Sequence, residues 1–147
     1  MNAPSSERGA VSTEFAVIMA AFLTSFMLLI VFAGRVATAE NHVRAAAQEA
    51  ARSASLSGTP ETAVAAAQQT AAANLASSGL TCASGLDVAV DTAQFAPGGW
   101  VAVTVSCDTP FSDVASLSVP GTKTFTGTAT EVIDTYRSTH EARRPLG

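Results

Sequence analysis

Charge and aromatic rings are both scarce in this chain. Charged residues make up 14% of the 147 and aromatics 6%, with one tryptophan and one tyrosine. Low charge excludes the solvated composition of a disordered chain and fits a packed or membrane-embedded one. Bases are scarcer than acids, eight against twelve for a net charge of -4, and no basic stripe is present. Duplex binding needs such a stripe, so nucleic acid is not expected as a partner. The two histidines, His42 and His140, lie far apart, and the two cysteines are Cys82 and Cys107. That set is too small for a structural zinc site, and no metal or cofactor is expected. The sequence also lacks a Ser-His-Asp arrangement near a nucleophile elbow, a glycine-rich phosphate loop and a metal-spaced His/Cys cluster. Pro97-Gly98-Gly99 is hairpin-turn chemistry. No enzyme activity is expected.

What is present is one long uncharged run. Phe15 to Gly34 holds twenty residues without charge, bounded by Glu14 and Arg35. At 1.5 Å per residue such a helix is about 30 Å long, the thickness of a bilayer hydrocarbon core. Three readings are open. Val36-Ala-Thr-Ala39 resembles a small-x-small signal-peptidase site, and a cut after Ala39 would release a secreted domain. Against this, the run is longer than a signal-peptide core, and Arg8 before it is balanced by Glu7. An uncleaved single-pass anchor carrying a small partner-binding ectodomain accounts for the length. It leaves Glu14 unexplained, because an acid at the hydrocarbon edge costs on the order of 1–3 kcal/mol. The third reading uses Gly9 and Glu14 together and rests on the residues around them, Glu7 to Phe15.

Within the run Ala16, Ala20 and Thr24 form a small-xxx-small stripe of the kind that lets membrane helices approach closely. Phe22, Phe26, Met27, Leu29, Ile30 and Phe32 suit lipid or a helical filament core. Charge does not set the orientation, since Arg8 precedes the run while Arg35 and Arg44 follow it.

No turn signal interrupts Gly34 to Leu56, so one helix is predicted from about Val11 to Leu56, with Gly34 as a candidate bend. Its predicted apolar stripe is Val36, Val43, Ala47, Ala50 and Ala54, and Glu40 precedes Arg44 by four. Thr59-Pro60-Glu61 then restarts a helix, with Thr59 as cap and Pro60 at the first turn, running to about Ser78 before Gly79. Val64, Ala67, Ala71 and Leu75 are its predicted stripe. After Cys82 the period becomes two. Leu86, Val88 and Val90 alternate with Asp87, Ala89 and Asp91, and Val101, Val103, Val105 and Cys107 share one face. Asp108 to Gly121 reads as a connection. Thr122 to Thr135 reads as a third strand, threonines on one face and Phe125, Ala129 and Ile133 on the other, with Gly127 marking a bulge. Residues from Ser138 on read as a polar, mobile tail, with Arg137, Arg143 and Arg144 able to touch an acidic surface. The fold class is therefore α+β: a long N-terminal helix, a shorter second helix and a three-stranded antiparallel meander. The predicted organisation is a leader over 1–9, a transmembrane helix over 10–34, an extracytoplasmic domain over 35–136 and the tail over 137–147. Export makes a Cys82–Cys107 disulfide the natural state of the two thiols.

Glu7-Arg8-Gly9 followed by Ala10-Val-Ser-Thr-Glu14-Phe15 resembles the cleavage site of type IV pilin-like proteins. The resemblance narrows to the TadE-like family, the pseudopilins of tight-adherence (Flp) pilus systems. It is carried further by Arg44-Ala-Ala-Ala-Gln-Glu-Ala-Ala-Arg52, by Val101 to Phe111 with its Pro-Phe, and by the Thr-Ala-Thr strand at Thr126 to Thr130. Only residues 8 to 15 are specific. The resemblance implies a plasma-membrane subunit, cut by a prepilin peptidase between Gly9 and Ala10 on the cytoplasmic face. Glu14, with Phe15 beside it, would then pair with the new terminal ammonium of a neighbouring subunit. Implied partners are that peptidase, other pilins, the pilus assembly machinery and membrane lipid. Phe15 stands where major Flp pilins typically carry tyrosine, and those pilins are far shorter, which favours a pseudopilin.

Overall fold

The computed structural model describes residues 7–112 and 120–136, with side chains from Thr13 onward. Most of the 1–9 leader, part of the 108–121 connection and the tail with Arg137, His140, Arg143 and Arg144 lie outside the described residues. Two helices, α1 (Glu7–Ser55) and α2 (Pro60–Ser78), precede three strands, β1 (Leu86–Asp91), β2 (Trp100–Pro110) and β3 (Thr122–Val132). The sheet order is β1-β2-β3, antiparallel throughout, so the α+β meander is present as predicted. The chain divides into two compact units between Arg35 and Val36.

The described residues of the first unit are helix, uncharged from Phe15 to Gly34. The second unit owns the core. Along α1 the buried positions are Ala39, Val43, Ala46, Ala47, Ala50, Ala51 and Ala54, while Val36 is half-buried. Alanine gives high helix propensity and a thin contact surface, so the helix lies close to the sheet. On α2 the buried set is Ala63, Ala67, Ala71 and Leu75, a strict four-residue spacing. This corrects the predicted stripe at its first member: Val64 is only half-buried, and Ala63 takes the inward position. The termini of α2 are built as the sequence indicates. Thr59 and Thr62 form a reciprocal capping box, and Gly79 closes the helix at φ 72° with its N–H donating to the Ala76 and Leu75 carbonyls.

Strand β2 is the centre of the core. Val101, Val103, Val105, Cys107 and Thr109 are buried, and Phe125 and Ile133 join them from β3 and the chain just beyond it. Register runs without interruption from Trp100↔Val132 to Pro110↔Thr122. Gly127 is therefore not a bulge. A Cβ on Gly127 would stand 2.9 Å from the Arg44 Cα and 2.9 Å from the Val43 carbonyl oxygen, so the glycine admits the backbone of α1. The third strand also ends earlier than predicted, at Val132. The Asp134 carboxylate accepts the Tyr136 N–H at 2.9 Å, a local turn that diverts the chain.

Candidate functional site

Two features carry chemistry, one in each unit. In the first, the apolar part of α1 is not covered by any of the described residues. Its most apolar eighteen-residue window has a mean hydropathy of 2.6, and none of that window is buried. Phe15, Val17, Ile18, Phe22 and Leu23 are each about 60–70% exposed (65%, 69%, 61%, 62% and 59%). A surface of this kind is stable only against lipid or other apolar helices. One N-terminal helix of this length and composition is compatible with a single-pass membrane protein.

Glu14 is exposed at the leading edge of this run, and among the described residues it has no ion-pair partner. Gly9 and Ala10 lie in the first turns of α1. Ala16, Ala20 and Thr24 follow as an exposed stripe. The Thr24 hydroxyl donates to the Ala20 carbonyl at 2.8 Å, which satisfies it within its own helix. Beside it the Phe22 and Phe26 rings stack with centroids 6.4 Å apart.

In the second unit, Cys82 and Cys107 are joined as a disulfide, with Cα atoms 5.2 Å apart. Cys107 is buried on β2, and Cys82 sits in the connection between α2 and β1. The next residue on β2 adds further ties. The Asp108 carbonyl accepts the Ala83 N–H at 2.6 Å, and its carboxylate accepts the hydroxyls of Ser84 at 2.6 Å and of Thr124. The hydrogen bond from Ser84, followed by that from Thr124, holds the Asp108 carboxyl below the usual carboxylate range. Asp108 thus fastens the connection before β1 to β2 and β3 at once. No local sequence signal marks it: its partners lie 24 and 16 residues away, and only the register brings them together.

The same face of the sheet continues as a hydroxyl ladder. Thr104 meets Thr128 at 3.1 Å, and Ser106 meets Thr126 at 3.2 Å. Cross-strand pairs of this type reinforce register. No group of three or more potential metal-ligating side chains is found among the described residues.

No curated protein and no solved structure matches the chain. The family model described as TadE-like protein matches residues 9–52, from the glycine before the apolar helix to the second arginine of the alanine-rich stretch. The matched stretch contains Gly9, Glu14 and the exposed apolar helix, and over it the chain is similar to the TadE-like family.

Proposed function

We propose that the protein is a non-enzymatic pseudopilin or minor pilin of a Tad (Flp-type) pilus. A TadE-like segment points to a Tad pilus-associated protein and to association with pilus-assembly components. The supporting observation is a coincidence of positions. The family match begins at Gly9, and the uncovered apolar helix begins directly after Glu14. In this reading a prepilin peptidase cuts between Gly9 and Ala10. The helix sits in the plasma membrane with residues 35–136 outside, and then packs with other subunits through Ala16, Ala20 and Thr24.

Glu14 has a defined task here. In a low-dielectric helical bundle an unpaired carboxylate is costly, and pairing it with the terminal ammonium of a neighbouring subunit removes that cost at one axial register. Phe15 beside it supplies apolar contact at the same level. Replacing Glu14 by Ala leaves length and hydrophobicity intact. The variant is expected to be cut and inserted like the parent while failing to enter pili; normal incorporation into pili would remove Glu14 from this role.

The signal-peptide reading fares worse on the fold. Ala39 is 4% exposed within the core, and Glu40 pairs with Arg44 at 2.6 Å. A cut after Ala39 would remove a core residue and strand the new terminus one turn before a packed helix.

A further inference from the structure

Strand β3 lies at one edge of the sheet, and among the described residues its outer side has no partner strand. Its register with β2 is unbroken and continues one pair further at each end. There the Phe111 N–H donates to the Gly121 carbonyl at 3.0 Å, and the Ile133 N–H to the Gly99 carbonyl at 2.9 Å. Backbone groups alternate sides along a strand, so the odd-numbered residues of β3 bond to β2. The even-numbered ones, Thr122 to Val132, turn their N–H and C=O groups away from the sheet. An eleven-residue edge of this kind is a template for another strand. Charge marks its two ends on the face toward α1. Lys123, the sole lysine of the chain, lies at one end and Glu131 at the other, with Phe125, Gly127 and Ala129 between. Beside the Glu131 end a polar groove opens, lined by Gln48, Glu49 and Arg52 of α1 and by residues 128–131.

We propose that this edge pairs with the same edge of a second copy, β3 antiparallel to β3 about a two-fold axis at Gly127. Backbone polarity requires even-numbered residues to face even-numbered ones, so the register can shift only in steps of two. With Gly127 opposite Gly127, Lys123 of each copy stands opposite Glu131 of the other, and Phe125 opposite Ala129. These are the non-hydrogen-bonded pairs, whose side chains approach most closely. One step either way, Lys123 meets Ala129 or Ile133, and Glu131 meets Gly121 or Phe125. Only the centred register matches both charges. The incoming lysine also arrives at the groove, where Glu49 and Glu131 outnumber Arg52. On the other face Thr126 comes opposite Thr128, and Thr124 opposite Thr130. The hydroxyl ladder of Thr104 with Thr128 and Ser106 with Thr126 then continues across the junction. A patch that is its own complement closes as a two-fold dimer. The pairing lies within the second unit and does not depend on cleavage at Gly9.

The test is sedimentation equilibrium of the full chain in detergent micelles, where the parent should form dimers. Lys123→Glu and Glu131→Lys each set like charges against one another at both ends of the junction. Each alone should weaken dimerisation about tenfold. An equimolar mixture of the two variants faces opposite charges again and should recover the parental affinity. So should the double variant Lys123→Glu/Glu131→Lys. Recovery on mixing also shows that each variant is folded. A monomeric parent overturns the proposal, because the two charges would then serve to keep the edge unpaired. Dimers indifferent to both reversals overturn it as well, since association would run through the apolar helix. Single variants that weaken and do not recover on mixing also overturn it, because the two charges would not face each other across the junction.

Discussion

Gly127 and Arg44 meet backbone to backbone. A Cβ built on the glycine would stand 2.9 Å from the Arg44 Cα, with the Arg44 nitrogen at 3.0 Å. Neither atom belongs to a side chain that can turn away. Gly127→Ala should therefore push α1 off the sheet and lower stability by about 1–3 kcal/mol, the usual range for overpacking a filled core. Thermal unfolding of the purified protein reads the effect. Gly34→Ala is the contrasting change, since a Cβ there meets nothing within 4 Å. It should leave stability unchanged or raise it by up to about 1 kcal/mol through helix propensity.

The disulfide yields a second expectation. Cys82 and Cys107 are 25 residues apart, and closing a loop of that length contributes about 3.5 kcal/mol in the chain-entropy model. Cys82→Ser/Cys107→Ser should lose a comparable amount in denaturant unfolding. An unchanged midpoint would show that the Asp108 ties and strand pairing already fix the connection.

Asp108 predicts a pH dependence. Its folded pKa is lowered, first by Ser84 and then by Thr124. A depressed carboxyl contributes stability that is fully present above its unfolded pKa of about 4, and that is lost as pH falls through the lower folded value. The melting temperature should thus hold from neutrality to about pH 5 and then drop. Asp108→Asn should be less stable near neutrality and show a shallower acid limb. The contribution is small because the carboxylate stands open to water. A parent and variant with parallel acid limbs would assign the fall to other carboxyls.

The caps of α2 supply a fourth expectation. The Thr59 hydroxyl accepts the Thr62 N–H at 3.3 Å and the Thr62 hydroxyl accepts the Thr59 N–H at 3.0 Å. Thr59→Ala should cost about 1 kcal/mol. Circular dichroism during thermal unfolding is the measure.

These four sites also mark what the sequence can and cannot reveal. The caps of α2 were legible because a capping box, a first-turn proline and a terminal glycine are local in sequence. The alternation of Val101, Val103, Val105 and Cys107 was legible for the same reason, since strand period alone puts them on one face. Gly127 was misread because a strand glycine signals a bulge or a close approach equally well, and only the position of α1 decides. The predicted stripe starts at Val64, whereas the structure buries Ala63: in an alanine-built interface the four-residue spacing decides which side chain points inward. The Asp108 node stayed hidden because it is made by register, not by neighbours in the chain. At the N-terminus the motif around Gly9 and Glu14 located the TadE-like stretch. The fold adds that the helix after Glu14 is not buried by any of the described residues.

The account rests on that helix being a processed assembly segment rather than an anchor or a signal. The mature N-terminal residue of the protein recovered from its native membrane, read by terminal sequencing or intact mass, tests this most directly. The account predicts Ala10. An intact leader would contradict it in favour of the uncleaved anchor, and Glu40 would contradict it in favour of a secreted domain.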